Sequence, residues 1–371
     1  MALVPRFFVV LCLVVGCLPR AATAAESVAL PADFTAFQQD TSPSVRAARP
    51  MADKHWRQIE PALYHLAIQH ADCLDSLSPA DRIATLASLV GFIDRVRTAH
   101  AARPVLAPGR TVVGLLDPAR GLDPKEITAI ATVYGGTPTV FKQDAAGETI
   151  ASVADDFLAA VRAAAAADTP ATIVVLGHGL PTEIQSYSIR FERLAAALLD
   201  GAARTDSATA ATPTVDLGRI VLVCDDCFST DFLINLCGEI AAECRRRGQR
   251  LVSLPICIAG TNRDCVGHAD VGEKFVPHFW KDVIELFYVR RPRPEAVTLG
   301  DFFEKVDNMM YGYGRAPTVG RDGSVSYRLV DPTQCQDPVV LVPLDETEVA
   351  ELRTILRLPA DAPLPGWLDI G

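Results

Sequence analysis

The sequence predicts an α/β protein in which a mostly parallel sheet of about six strands lies between two layers of helices. From residue 111 onward, short apolar segments alternate with longer segments of helical pattern. The short segments are apolar at consecutive positions, which is typical of parallel strands covered on both faces. Each is followed by a helical segment rather than a tight turn, as the crossover between parallel strands requires.

Strands and helices are predicted in alternating order. The strands are Thr111–Leu116, Pro138–Phe141, Thr172–Leu176, Arg219–Val223, Leu251–Ile256 and Val339–Val342. The helices are Pro124–Tyr134, Ile150–Ala167, Arg190–Leu199, Phe232–Arg247, Phe275–Tyr288, Thr298–Tyr311 and Thr347–Arg357. Ligands of such sheets bind beyond the carboxyl ends of the strands, so functional residues are expected there.

A helical segment precedes this pattern. Apolar residues at helical spacing predict helices over Ala52–Ala71 and Pro79–Ala101, and Ser78 followed by proline is a typical helix start. Arg103–Gly109 is the predicted linker. We therefore assign residues 25–108 to a helical N-terminal region with its linker, 109–345 to the main domain, and 346–371 to a C-terminal helix and tail.

The first residues indicate export. Arg6 is followed by the apolar run Phe7–Gly16, and Ala22-Thr23-Ala24 fits the small-x-small cleavage rule, which predicts a signal peptide over residues 1–24. Val14-Val15-Gly16-Cys17 also resembles a lipoprotein box, which would remove residues 1–16 and lipidate Cys17. Both interpretations predict an exported protein, which is periplasmic, extracellular or lipid-anchored at the cell envelope, with membrane attachment through Cys17 in the second.

The charge of the chain bears on its partners, and its cysteine content bears on possible disulfides. The chain has 35 Lys and Arg against 45 Asp and Glu, and this acidic balance argues against nucleic acid as a partner. In an oxidising compartment the cysteines could form disulfides, for which Cys237/Cys244 and Cys265/Cys335 are candidate pairs. Cys224 and Cys257 each directly follow a predicted apolar strand, so we interpret them as free buried thiols.

A histidine ends the third predicted strand, where Ile173-Val174-Val175-Leu176 runs into Gly177-His178-Gly179. A histidine at a strand end can act as a proton shuttle near neutral pH, although it could equally mark a tight turn. The glycines permit backbone angles that other residues avoid, and they allow a substrate backbone to approach the imidazole.

A cysteine ends the next strand, in Val223-Cys224-Asp225-Asp226-Cys227-Phe228-Ser229. A helix follows, for which Ser229, Thr230 or Asp231 could supply the cap. A thiol near a helix N-terminus is shifted toward the thiolate. With a histidine at the neighbouring strand end, Cys227 is a candidate activated nucleophile.

Together these two segments resemble the caspase/legumain clan of cysteine peptidases. Gly177-His178-Gly179 is similar to the Gly-His-Gly of metacaspases, and Asp225-Asp226-Cys227-Phe228-Ser229 resembles their Asp-x-Cys-x-Ser. The order of histidine and cysteine, with roughly 50 residues between, also fits the clan. The resemblance extends over Thr111 to Val342, and it implies a three-layer caspase-like catalytic domain over residues 109–345.

The resemblance implies a cysteine-type endopeptidase acting on a peptide or protein substrate, with no cofactor and no metal ion. Cys227 is the expected nucleophile and His178 its general acid and base. The backbone N–H groups of Gly179 and Cys227 are expected to stabilise the oxyanion. A dyad suffices for this chemistry, and no third member is evident in the sequence.

The same resemblance suggests which residues bind the substrate. Asp225 corresponds to an acid that lines the first specificity pocket of relatives, and Thr261 and Asn262 fall where the clan builds a pocket wall. A pocket carboxylate favours a basic P1 residue, because a buried charge needs a charged or donor partner. Arg120 argues the other way, since an arginine near that place serves Asn- or Asp-specific relatives. We slightly favour a basic P1 residue.

Three other interpretations stay open. Cys224 and Cys227 form a Cys-x-x-Cys motif at a strand–helix junction, as in thiol–disulfide oxidoreductases. The chain could also be a catalytically silent caspase-like protein that binds peptides. A zinc site built from Cys224, Cys227, Cys265 and His268 matches no strong ligand spacing.

Overall fold

The computed structural model describes residues 76–118, 124–133, 135–143, 147–204, 212–261, 296–301, 315–319, 325–329, 339–359 and 366–370, together with residues 63, 66, 70, 73, 74 and 364. Within these residues the chain is an α/β protein with one large central sheet. The predicted signal peptide and Cys17 lie outside the described residues. None of the described helices combines the length and the apolar character that a membrane span requires.

The central sheet has seven strands. They are β1 (Thr111–Leu116), β2 (Thr137–Phe141), β3 (Ala171–Leu176), β4 (Ile220–Asp225), β5 (Ile256–Ala259), β6 (Val339–Pro343) and β7 (Trp367–Asp369). Their order across the sheet is β2-β1-β3-β4-β5-β6-β7. Strands β1 to β5 are parallel, while β6 and β7 are each antiparallel to the preceding strand. The carboxyl ends of β1, β3, β4 and β5 therefore meet at one edge.

Helices cover both faces of this sheet. They are α1 (Pro79–His100), α2 (Pro124–Val133), α3 (Ile150–Ala166), α4 (Phe191–Ala202), α5 (Ser229–Arg246) and α6 (Glu346–Ile355), with single turns at Gln185–Tyr187 and Leu299–Asp301. Successive strand residues point to opposite faces. Val221 and Val223 accordingly pack in the core that contains α1, α2 and α6, whereas Leu222 and Cys224 pack in the core that contains α3, α4 and α5.

Further short strands lie outside the central sheet and pair with one another. Pro104–Leu106 pairs with Val297–Thr298, and Arg315–Val319 forms a hairpin with Val325–Leu329. Two small three-stranded sheets are built from Gly179–Leu180, Glu183–Ile184 and Ile189–Arg190, and from Ala203–Arg204, Thr214–Asp216 and Arg250–Ser253. The first of these small sheets begins at Gly179, directly after His178, which lies between it and β3.

The predicted α/β class, the mostly parallel sheet and the helices on both faces are confirmed. The sheet has seven strands rather than about six, because the predicted C-terminal tail supplies β7 at its edge. The predicted helix at Phe275–Tyr288 lies outside the described residues. Of the predicted helix at Thr298–Tyr311, the structure describes residues 298–301, where Leu299–Asp301 is helical.

The predicted strand Leu251–Ile256 is wrong, because this segment belongs to two different strands. Arg250–Ser253 pairs with Thr214–Asp216 in a small sheet, and β5 begins only at Ile256. Pro255 separates the two strands. Proline has no amide hydrogen to donate to a sheet ladder, so the central strand starts after it.

The helix predicted over Pro79–Ala101 is confirmed by α1. The side chain of Ser78 accepts a hydrogen bond from the Asp81 N–H at the start of α1, as the sequence pattern predicts. The apolar face of α1 packs in the same core as one face of the central sheet, and Leu63, Leu66 and Leu74 join it there. The same core also includes Val105 and Leu106, which belong to the linker predicted at Arg103–Gly109.

Candidate active site

The ends of β3 and β4 lie side by side because these strands are paired in register. Leu176, the last residue of β3, pairs with Asp225, the last residue of β4. The Gly177 N–H donates to the Asp225 carbonyl oxygen at 3.3 Å, which extends the pairing past the strands. His178 follows Leu176 by two positions and Cys227 follows Asp225 by two. The register therefore brings both residues to the same part of the sheet edge.

The two glycines beside His178 allow neighbouring turns to approach closely. A Cβ atom on Gly179 would lie 2.5 Å from Asp226 Cγ and 2.6 Å from the Cys227 carbonyl oxygen. A Cβ atom on Gly177 would lie 2.8 Å from Asp117 Cβ. The expectation of unusual backbone angles is wrong, since neither glycine has a positive φ. Both positions need glycine because the adjacent turns fill the space that a side chain would occupy.

A third side chain, Asp117, accompanies His178. Its Oδ2 atom lies 3.9 Å from Nε2 of His178, and its side chain is only 1% exposed against 48% for the histidine. Asp117 Oδ2 also accepts hydrogen bonds from the His178 N–H at 3.2 Å and from the Ser186 hydroxyl. The carboxylate is therefore hydrogen-bonded to the His178 backbone and lies near its ring.

Asp117 is an acid beside His178 that the sequence analysis did not single out. It directly follows β1, and β1 pairs with β3 so that Leu116 lies opposite Leu176. The acid is thus at the same edge, one strand over from His178. The available signal in the sequence was its position immediately after an apolar strand, which is the criterion that singled out His178 and Cys227.

Three further hydrogen bonds hold the loop that carries His178. The Gln185 N–H donates to the His178 carbonyl oxygen at 2.9 Å. The buried hydroxyl of Tyr187 donates to the Leu116 carbonyl oxygen at 2.6 Å, which ties the loop to β1. Asn235 of α5 donates to the Pro181 carbonyl oxygen at 2.8 Å. The loop is therefore attached both to the sheet and to the helix that follows Cys227.

Cys227 is a half-buried cysteine in the turn between β4 and α5. The next residue, Phe228, adopts the left-handed conformation with φ 56°, and α5 begins at Ser229. The helix therefore starts earlier than the predicted Phe232. A helix N-terminus favours negative charge close by, and the first residue of α5 is two positions from Cys227.

Thr261, two residues after the end of β5, forms hydrogen bonds with this turn. Phe228 gives no side-chain cap to α5, and instead the Thr261 hydroxyl oxygen accepts the Ser229 N–H at 3.1 Å. Thr261 is fully buried, so its side chain supports the turn from beneath. The sequence placed Thr261 in a pocket wall, whereas the structure gives it contacts with the residues that flank Cys227.

The remaining predicted substrate-binding residues have different positions. Asp225 is 5% exposed, and it packs so closely on β5 that a Cβ atom on Gly260 would lie 2.5 Å from Asp225 Oδ1. Asp226 is also buried, at 4% exposure. Arg120 and Asn262 lie outside the described residues. Three carboxylates, those of Asp117, Asp225 and Asp226, thus lie buried at the strand ends around the histidine and cysteine turns.

Cys224 faces away from this site. It is 1% exposed in the core beneath α5. Burial raises the pKa of its thiol well above the usual value, and the nearby Asp226 and Asp225 carboxylates raise it further. Desolvation likewise raises the pKa of Cys257. The interpretation of Cys224 and Cys257 as free buried thiols is confirmed.

The candidate disulfide Cys237/Cys244 is wrong. Both residues are free and lie in α5. Seven helical residues span about 10 Å along the axis, which is more than a disulfide can bridge. Cys237 instead lies with its Sγ atom 3.8 Å from Sγ of Cys257. The candidate pair Cys265/Cys335 lies outside the described residues.

The described residues contain no group of three or more His, Cys, Asp or Glu side chains arranged to hold a metal ion. Two residues of the zinc alternative, Cys265 and His268, lie outside that part of the chain. Comparisons of this chain with protein-family models, with curated proteins and with solved structures gave no match.

Proposed function

We propose that this chain is a cysteine endopeptidase with a caspase-like fold, in which His178 and Cys227 form the catalytic dyad. The observation that carries the proposal is the register of β3 and β4, which sets the two residues equally far beyond the paired Leu176 and Asp225. The strand order and the helices on both faces are compatible with such a fold. Asp117, buried beside His178, adds a group that can orient the imidazole.

In the proposed reaction, the Cys227 thiol transfers its proton to His178, and Sγ attacks the carbonyl carbon of a peptide bond. The N–H groups of Gly179 and Cys227 stabilise the negative charge on the carbonyl oxygen. His178 donates a proton to the leaving amine as the C–N bond breaks, which leaves a thioester on Cys227. His178 then accepts a proton from water as the water attacks the thioester, and it returns this proton to Sγ as the C–S bond breaks and the acid product leaves.

Asp117 acts in this scheme as a positioning residue. Its carboxylate accepts the His178 N–H at 3.2 Å and lies near Nε2, so it holds the backbone and restricts the ring. Ser186 in turn donates to the same carboxylate oxygen. A carboxylate that orients an imidazole also stabilises the imidazolium formed during the reaction.

The buried carboxylates support a basic P1 residue. Asp225 and Asp226 are at most 5% exposed and adjoin the Cys227 turn. Buried carboxylates favour a positively charged or donor partner over another acid. Arginine or lysine at P1 is therefore the proposed preference, ahead of asparagine or aspartate.

The thiol–disulfide oxidoreductase alternative has less support. It requires Cys224 to exchange with a substrate, but that thiol is 1% exposed and its pKa is raised by burial. It also leaves His178 and Asp117 without a role. A catalytically silent caspase-like protein remains the second alternative, and the same experiment separates it from a peptidase. We further propose that the chain is exported, with a signal peptide over residues 1–24 or a lipidated Cys17.

A panel of fluorogenic peptides with Arg, Lys, Asn or Asp at P1, together with a peptidyl acyloxymethyl ketone probe, tests the proposal. We expect the wild type to cleave the Arg and Lys substrates and to be labelled at Cys227. Cys227→Ala and His178→Ala should abolish cleavage, and Cys227→Ala should also abolish labelling.

Two further cysteine variants serve as controls. Cys73→Ala alters another half-buried cysteine, and Cys224→Ala removes the thiol that redox chemistry needs. Both should retain cleavage. Loss of activity in Cys224→Ala, with a folded chain, would favour the oxidoreductase. A wild type that neither cleaves nor takes up the probe would favour the silent protein.

A further inference from the structure

The hydroxyl group of Thr261 contacts the peptide unit that contains the Cys227 N–H. Thr261 Oγ1 lies 3.1 Å from the carbonyl oxygen of Asp226, and threonine must be the donor because a carbonyl only accepts. The described residues contain no cis peptide bond. In a trans peptide the N–H points opposite to the C=O, so the Cys227 N–H is directed away from Thr261. The hydroxyl thus fixes the direction of this N–H.

The turn uses the full hydrogen-bonding capacity of this hydroxyl, which is one donor and two acceptor sites. Since the Thr261 proton goes to Asp226, Ser229 is the donor in the 2.9 Å contact between the two hydroxyl groups. The Ser229 N–H donates to the same Thr261 oxygen at 3.1 Å, and the Thr261 N–H donates back to Ser229 Oγ at 3.0 Å. Thr230 Oγ1 donates to the Thr261 carbonyl oxygen at 2.5 Å.

These hydrogen bonds are shielded from water. Thr261 and Ser229 are 0% exposed, and Thr230 is 1% exposed. Hydrogen bonds in a low-dielectric interior are strong, and chains of them polarise one another. The Asp226–Cys227 peptide is therefore both oriented and polarised by hydrogen bonds from side chains that are almost fully buried.

We propose that Thr261 is the positioning residue of the oxyanion hole. Its hydroxyl directs the Cys227 N–H toward the developing oxyanion and makes it a better donor by polarising the carbonyl of the same peptide. This inference rests on the proposed peptidase function and adds a residue to that site. Removal of a whole oxyanion donor lowers kcat by about 10²–10³-fold, so misdirection of one donor should cost part of that.

Thr261→Val tests the inference, because valine has nearly the same size and lacks the hydroxyl. Three quantities are measured: kcat and KM on the best panel substrate, binding of a peptide aldehyde, and alkylation of Cys227 by iodoacetamide. The aldehyde adds to the thiol and forms an oxyanion, whereas alkylation forms none. We expect kcat to fall by about 10–100-fold with little change in KM, and aldehyde binding to weaken by a similar factor. Alkylation should stay within about 2-fold, because the thiol itself is unchanged.

Two matched variants complete the experiment. Thr261→Ser keeps the hydroxyl and should restore kcat to within about 3-fold of the wild type. Thr172→Val removes another fully buried threonine hydroxyl, which accepts from Arg110 Nε at 2.6 Å and donates to the Val105 carbonyl oxygen at 2.5 Å. Thr172 lies at the amino end of β3, at the opposite edge of the sheet. Its variant should lose stability and keep its kcat.

A folded Thr261→Val variant with unchanged kcat would overturn the inference. Equal losses in hydrolysis and alkylation would also overturn it, because they would indicate general disorder of the turn. If Thr261→Val does not fold, Thr261→Ala is subjected to the same measurements. A wild type that is alkylated at Cys227 but cleaves no peptide would remove the proposed function as well. An active wild type with an unaffected valine variant would remove this inference alone.

Discussion

Asp117 combines near-complete burial with contacts to both the backbone and the ring region of His178. The replacement Asp117→Asn keeps the size of the side chain and removes its charge. We expect kcat to fall by roughly 10-fold or more, since the imidazolium formed in the proposed reaction loses its counter-charge. KM should change little, because the buried Asp117 carboxylate has almost no surface that a substrate could contact. Steady-state kinetics on the preferred P1 substrate measures both.

Asp168→Asn is the matched control for this replacement. Asp168 is 97% exposed and contacts Arg204 on the surface, so its variant should keep wild-type kinetics. If Asp117→Asn also keeps its kcat, Asp117 has only a structural role. A fall in kcat for Asp117→Asn alone would support its role in orienting His178.

At the level of single residues, the sequence predicted the groups that a local pattern identifies. His178 and Cys227 each end an apolar strand beside glycines or acids, and that pattern is visible within ten residues. The contacts of Thr261 with the Cys227 turn could not be predicted in this way, because its partner Ser229 lies 32 positions away. Asp117 has the same kind of position as His178, but a single acid after a strand is common in any α/β chain.

Helix α1 contains a titratable group that should make stability depend on pH. His100, in its last turn, is 4% exposed. Burial lowers its pKa from 6.5 to about 4, with a smaller contribution from the nearby positive charge of Arg103. Because the unfolded chain binds this proton more readily, the free energy of unfolding should be highest above pH 6.5 and fall between pH 6.5 and 4. The loss should reach about 3 kcal/mol.

Urea denaturation of the wild type and of His100→Leu between pH 7 and pH 4 measures this effect. The variant should show a flatter dependence on pH, because it lacks the titrating imidazole. Some dependence should remain, since burial also lowers the pKa of His70. Parallel curves for the two proteins would show that His100 does not carry the effect.

At the level of elements, hydrophobic runs predicted the parallel strands well because such strands are buried on both faces. Thr111–Leu116 has the bounds that the sequence predicts. The error at Leu251–Ile256 arose because two short strands on either side of Pro255 read as one apolar run. Strand β7 was missed because three residues, Trp367–Asp369, are too few for any periodicity.

For the whole molecule, the packing of α1 predicts that the N-terminal helices are required for folding. Leu89, Phe92 and Ile93 of α1 are at most 1% exposed and share a core with β1, β3 and β4. A chain beginning at Pro104 would expose this face of the sheet to water. We expect it to be insoluble or to lack a cooperative unfolding transition, as measured by circular dichroism and size-exclusion chromatography.

A chain beginning at Ala25 is the control, and it should fold and remain monodisperse or oligomerise as the full chain does. A stable, cooperative chain from Pro104 would instead identify the N-terminal helices as a separable module. This comparison decides whether the helical region is a layer of the domain or an attachment to it.

The hydrogen bonds of Gln185, Tyr187 and Asn235 order the His178 loop in the absence of a substrate. The His178 carbonyl is hydrogen-bonded to Gln185, Tyr187 to β1 and Pro181 to α5. The segment is therefore ordered before any peptide binds. Ordering a loop on binding normally weakens affinity. In the proposed peptidase, a bound peptide would therefore contact a His178 loop that is already ordered, and the peptide itself would lose most of the remaining conformational freedom.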